Sequence, residues 1–108
     1  MQFYAHHGVM EQERLTGNYF TVDLTMTVNV EKATFSDRLE DTINYADIFQ
    51  QVKTEMEIPS NLLEHVAGRI IIRLRKEYPV IEKIELSIAK HRPPVGGDVS
   101  EAVVTLIV

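Results

Sequence analysis

Tyr19-Phe20-Thr21-Val22-Asp23-Leu24-Thr25-Met26-Thr27-Val28-Asn29-Val30 decides the fold. Phe20, Val22, Leu24, Met26, Val28 and Val30 alternate with Thr21, Asp23, Thr25, Thr27 and Asn29. Strand side chains repeat every two residues, so this spacing predicts one long strand with a dry face and a polar face. Such two-faced strands belong to antiparallel sheets, because parallel strands are covered on both sides. Working outward, Gln2 to Val9 is the expected hairpin partner, joined through Gly17-Asn18. The chain opens abruptly inside that first element, and a short piece of strand is expected ahead of Met1.

Glu31 to Thr42 is polar and irregular. Ala46, Phe49, Val52 and Met56 then recur at three or four residues, the spacing of a helix. Pro59 and Ser60 break it. A second helix is expected with Leu62, Val66, Ile70 and Leu74 on one stripe and Leu63, Ala67 and Ile71 beside it, ending at Tyr78-Pro79. Ile81 to Lys90 predicts a third strand and Ala102 to Val108 a fourth. The order strand, strand, helix, helix, strand, strand implies a single α+β domain over 1–108: a four-stranded antiparallel sheet with two helices on one face. The fourth strand is apolar on both faces, and the helices can cover only one of them. Exposed edges and a doubly apolar strand therefore predict a homo-oligomer formed by extending or closing the sheet.

Composition narrows the function. The 108 residues are 44% hydrophobic and 25% charged, which suits one soluble core. A net charge of −5 argues against a nucleic-acid surface. No apolar run approaches a membrane span, and nothing reads as a signal peptide. The absence of cysteine excludes disulfides, thiolate nucleophiles and cysteine zinc sites, and makes the cytoplasm the expected location.

Four stretches could carry chemistry. Lys90 closes the alternation Ile84, Leu86, Ile88, so its ammonium falls at the rim of an apolar face, beside Arg92-Pro93-Pro94-Val95-Gly96-Gly97. A lysine there is a candidate for acid–base work, though strand-end lysines commonly just reach for water. Asn61-Leu62-Leu63-Glu64 is spaced as a capping box, and a carboxylate at a helix start can also accept paired donors from a ligand. Those two roles compete for the Glu64 oxygens. Asp41 or Thr42 could cap the first helix, with Tyr45 an ordinary half-buried tyrosine. Glu13 follows His6-His7-Gly8 in a charged loop where solvation is the default. His6 and His7 are adjacent on an expected strand and point to opposite faces, so they share an ion poorly. The spacing holds no metal motif, no phosphate loop and no nucleophile elbow.

Taken together, these stretches resemble the dihydroneopterin aldolase family of the tunnelling fold. The resemblance rests on Phe3-Tyr4-x-x-His7-Gly8-Val9, Glu13, Gly17, Asp41-Thr42-x-x-Tyr45, Asn61-Leu62-Leu63-Glu64 and Lys90-x-x-Pro93-Pro94, and covers nearly the whole chain. It implies retro-aldol cleavage of a pterin side chain in folate biosynthesis, without metal or cofactor. It also implies subunit sheets joined into a β-barrel ring, with two tetrameric rings stacked into an octamer. By the same resemblance, Glu64 anchors the amino-pyrimidine edge of the pterin, and backbone groups near Leu63 and Ile43 contact that ring. Lys90 moves protons during the retro-aldol step together with a bound water, Tyr45 of a neighbouring subunit helps protonate the enol left after cleavage, and Glu13 lines the site near the side-chain hydroxyls or the catalytic water. His7-Gly8 shapes a turn. The chain departs from the family in having His6 where an aromatic is usual, Pro93-Pro94-Val95-Gly96-Gly97 for Pro-Pro-x-Pro-Gly, and no Gly-Val-Gly after it. A dihydroneopterin-type epimerase and a non-catalytic pterin- or purine-binding oligomer are the competing readings.

Overall fold

The computed structural model describes all residues, Met1–Val108. Strands β1 (Gln2–Ala5), β2 (Asn18–Thr27), β3 (Lys83–His91) and β4 (Glu101–Ile107) form one sheet in the order β1-β2-β3-β4, antiparallel throughout. Helix α1 (Glu11–Thr16) joins β1 to β2. After β2 come α2 (Glu31–Ser36), a 3₁₀ turn at Leu39–Asp41, and the long helices α3 (Tyr45–Met56) and α4 (Leu63–Glu77).

The register explains the core. Phe20, Val22 and Leu24 of β2 stand opposite Lys90, Ile88 and Leu86 of β3. Ile88 and Leu86 in turn face Val104 and Leu106 of β4. Directly opposed residues share a face, so these side chains make one apolar surface. Helices α3 and α4 close it with Ile48, Val52, Met56, Leu63, Val66, Ala67, Ile70 and Leu74. The α+β architecture expected from the sequence is the one found, with Lys90 at the rim of the covered face.

Several boundaries differ from expectation. The expected strand Gln2–Val9 pairs only over Gln2–Ala5; His7 continues it as a single bridge to Ser60, and the chain then turns into α1. Strand β2 ends at Thr27 rather than Val30. Glu31 to Thr42, read as irregular, contains α2 and the 3₁₀ turn. These pieces are too short to show an apolar period.

The buried stripe of α3 is Ile48, Val52, Glu55 and Met56, while Ala46 is exposed and Phe49 stacks on Phe3 at 5.6 Å between ring centres. Glu55 can be buried because Arg69 Nη1 reaches its Oε1 at 2.8 Å and Arg73 Nη1 its Oε2 at 3.0 Å. On α4, Leu63 is buried and Leu62 exposed, reversing the expected order of that first turn.

The outer face of the sheet carries Thr21, Asp23 and Thr25 together with Val103 and Ile107 of β4, which are 51% and 59% exposed. The two-sided apolar character read for the fourth strand is therefore real, and its outer side is bare in a single chain.

Candidate active site

The β1–β2 connection is built around Gly8. Its N–H donates to the Ser60 carbonyl at 2.9 Å, and Arg14 Nη1 donates to the Gly8 and Val9 carbonyls at 2.9 and 2.7 Å. A Cβ on Gly8 would lie 2.5 Å from Cβ, Cδ and Oε2 of Glu13. Only glycine allows that carboxylate to lie so close to the main chain. Helix α1 presents Glu13 at its third position, where the Met10 N–H donates to Oε2 at 3.2 Å. Gly17, at φ 78°, then turns the chain into β2 against Tyr4 and His6.

Glu13 and Lys90 meet there. Lys90 Nζ donates to Glu13 Oε1 at 2.9 Å, with the two side chains only 12% and 16% exposed. Burial pushes the Glu13 carboxyl up. The hydrogen bonds from Lys90 and the Met10 amide, with the charges of Lys90 and Arg14, outweigh that push and hold the carboxyl below its usual value. The solvated loop residue suggested by charge alone is thus the partner of the strand-end lysine. Asn18 Nδ2 ties the start of β2 to the His91 carbonyl at 2.8 Å, fixing the end of β3 where Lys90 emerges. A cleft of about 230 Å³ opens beside the pair, lined in part by Met10, Gln12, Glu13, Asn18, Arg92 and Pro94. Pro93 is buried and anchors the loop, while Arg92 adopts φ 41°.

Glu64, in the first turn of α4, follows by four residues Ser60, whose carbonyl accepts the Gly8 N–H. The capping box is not made: the cap position is Leu62, and no side chain bonds the helix start. Glu64 is exposed, so its carboxylate oxygens are open to a ligand; the first acceptor of the helix is the Leu62 carbonyl, which takes the His65 and Val66 N–H groups. Leu63 sends its side chain into the core and leaves only its backbone for contacts outside.

Tyr45 and Ile43 are elsewhere. Ile43 lines a second cleft with Asn44, Tyr78, Pro79 and Val80, ahead of β3. Lys90 is near the far end of that strand, about 23 Å further along at a strand's rise per residue. Tyr45, the first residue of α3, is 86% exposed rather than half-buried. The cap of α3 is Asn44, whose Oδ1 accepts the Ala46 N–H at 2.9 Å, and not Asp41 or Thr42. Asp41 instead accepts from Ser36 Oγ and pairs with Lys32 and Arg38.

The sequence reading undervalued His7. Its ring is 1% exposed and packs edge-on against Phe20, and its Nδ1 accepts the Ser60 N–H at 3.1 Å. Burial, and repulsion chiefly from Arg69 with smaller parts from Lys90 and His6, push its pKa from 6.5 to about 4; the Met56 carbonyl works in the opposite direction. The signal was present as Pro59-Ser60 and His7-Gly8, but nothing local says that these pair.

Fold and site define a small α+β protein with one helix-covered antiparallel sheet and a carboxylate–ammonium pair at the sheet's rim. The family model for FolB, dihydroneopterin aldolase, matches residues 1–107. The dihydroneopterin aldolase of Streptococcus pyogenes serotype M18 is 38% identical over 97 residues, 89% of this chain and 82% of that one. That of Staphylococcus epidermidis is 38% identical over 98 residues, 90% and 81% of the two chains. The chain belongs to the dihydroneopterin aldolase family.

Two solved structures share its fold. Escherichia coli dihydroneopterin aldolase in complex with neopterin superposes with a TM-score of 0.87 at 21% identity, over 100% of this chain and 96% of that one. The Burkholderia enzyme bound to guanine gives 0.78 at 16%, over 100% and 84%.

Proposed function

We propose that this chain cleaves 7,8-dihydroneopterin by a metal-independent retro-aldol reaction, giving 6-hydroxymethyl-7,8-dihydropterin and glycolaldehyde for folate biosynthesis. The Lys90–Glu13 contact at 2.9 Å, beside an open cleft, is the observation that carries this reading. A proton must leave the substrate's 2′-hydroxyl as the C1′–C2′ bond breaks. The bonding electrons pass into the ring's own C6=N5 imine, so no Schiff base or metal is required. The resulting enol then takes a proton at C1′, and N5 loses the one it gained. Lys90 is the group for the proton transfers of the cleavage step, held and oriented by Glu13, and Tyr45 helps to protonate the enol. The uncapped Glu64 carboxylate supports pairing with the amino-pyrimidine edge, as two acceptors facing two donors. Main-chain groups at Leu63 and Ile43 complete the ring contacts.

Tyr45 serves as the acid for C1′ only if it comes from another chain, since its own Lys90 lies at the other end of the molecule. The exposed outer side of β4 and the unpaired edges of β1 and β4 support ring closure between copies, and an octamer of two tetrameric rings follows from the family resemblance. The cysteine-free composition suits a cytoplasmic setting.

Incubation of purified protein with 7,8-dihydroneopterin tests the reaction. Free glycolaldehyde is expected. A product epimerised at the side chain without glycolaldehyde would mark an epimerase, and bound but unchanged pterin a non-catalytic binder. The shared site is tested by mixing. Tyr45→Phe and Lys90→Ala chains, each nearly inactive, are unfolded together in equal amounts and reassembled. A site built from two chains should recover about a quarter of wild-type activity in a closed symmetric ring. Efficient reassembly without rescue rejects it.

A further inference from the structure

His7 stands where the three supports of the proposed site meet. Its Nδ1 takes the Ser60 amide, four residues before Glu64 in the chain. The neighbouring Gly8 N–H returns a bond to the Ser60 carbonyl and lies flat against Glu13. The imidazole packs on Phe20, the residue opposite Lys90 in the sheet register. Ser60 is held from its other side as well, because Arg69 Nη2 donates to its Oγ at 2.9 Å and to the Ile58 carbonyl at 2.9 Å. The α3–α4 loop is thus clamped between an arginine and an imidazole.

We propose that His7 is a positioning residue whose neutral ring, through Nδ1 and the Ser60 amide, fixes the start of α4, and so Glu64, relative to the Glu13–Lys90 pair. The bond requires an unprotonated Nδ1, which leaves the proton on Nε2. Nε2 is buried and makes no well-formed hydrogen bond, although the Met56 carbonyl favours its proton, so the bond Nδ1 accepts is the firm polar tie of the ring, beside its packing on Phe20. Replacing the ring with one that cannot accept strands a buried N–H on Ser60, and the loop must move to hydrate it. Glu64 moves with that loop, while the Lys90–Glu13 contact, made on other elements, stays.

The proposal rests on the functional reading above, and two substitutions test it. His7→Phe keeps a planar ring without an acceptor. His7→Asn keeps an acceptor close to the position of Nδ1. Calorimetric titration with neopterin gives affinity and stoichiometry separately. His7→Phe is expected to weaken binding by about tenfold or more at unchanged stoichiometry, and His7→Asn to stay within about threefold of wild type. A His7→Phe protein that binds as wild type, or that loses stoichiometry at unchanged affinity, reduces His7 to a structural residue and overturns the proposal. Equal impairment of both variants overturns it too. Should His7→Phe not fold, the nitrogen resonances of wild-type His7 at pH 6 decide: Nδ1 bare and Nε2 protonated supports the proposal, and the reverse tautomer or an imidazolium ends it. Wild-type protein that binds no neopterin rejects the functional reading and this role with it, whereas wild-type binding with an unaffected His7→Phe rejects the role of His7 alone.

Discussion

At the scale of residues, the site depends on one missing Cβ. Gly8→Ala would place a methyl group 2.5 Å from the Glu13 carboxylate, which must swing off Lys90. The expected result is a drop in kcat that exceeds any loss of pterin affinity, since Glu64 is reached only through the Gly8–Ser60 bond. Unchanged kcat would show that Glu13 does not serve Lys90 in turnover. Lys90→Ala, removing the proton carrier itself, should cost kcat about 10²–10⁴-fold.

His7 adds a pH dependence of stability whose sign is fixed. The folded state holds the ring neutral with a pKa of about 4, through burial first and then the charges of Arg69, Lys90 and His6, while the unfolded ring protonates near 6.5. Between those values the unfolded chain binds more protons, so stability falls as pH drops from about 6.5 to 4, by up to about 3 kcal/mol. Denaturant melts at pH 7 and 4.5 should show a smaller drop for His7→Asn than for wild type. Equal drops would place the titration elsewhere. Lys90 was legible because strand alternation is strictly periodic. The contact between Lys90 and Glu13 was not, because the two are 77 positions apart along the chain.

At the scale of elements, the two asparagines ahead of the long helices make a controlled contrast. Asn44 caps α3 through its side chain, and Asn61 caps nothing. Asn44→Ala should destabilise by about 1 kcal/mol. Asn61→Ala should stay within about 0.5 kcal/mol. A larger loss at Asn61 would revive the capping box and remove the free carboxylate from Glu64. Glu64→Gln should leave stability unchanged and weaken pterin binding, because one of two acceptors becomes a donor.

The sequence showed where α3 and α4 lie and most of their buried faces, Val52 and Met56 on one and Val66, Ala67, Ile70 and Leu74 on the other, but missed at their first turns. A reading by hydrophobicity overlooks Glu55, whose burial depends on arginines from the next helix, and promotes Ala46 and Leu62, which are exposed. Short α1 and α2 were invisible because six residues hold less than two turns of pattern.

At the scale of the whole molecule, the chain is long and thin, 53 × 23 × 20 Å. Of the groups named from the sequence, Glu13 and Lys90 meet at one place, and Ile43 lines a separate cleft with Tyr45 two residues further along the chain. Light scattering at micromolar concentration should find an oligomer, and a monomer there would leave Tyr45 without a site to serve. The bare outer side of β4 was legible, with Val103 and Ile107 facing out and Val104 and Leu106 facing in. A register between copies is written in no single chain.

The strand order also bears on how the chain reaches this shape. β1 pairs with β2 and β3 with β4 across short connections, whereas the β2–β3 seam must bring together strands separated by α2, α3 and α4. Closing that large loop before the seam can reward it is the slow event in such topologies. Two quick local hairpins should therefore wait on one late docking. Val22→Ala and Ile88→Ala, facing each other across the seam, should slow refolding, while Val104→Ala at the outer strand should chiefly hasten unfolding. Stopped-flow refolding of the three variants would read this directly, and a refolding rate indifferent to the seam would mean that the helices, not the sheet, set the pace.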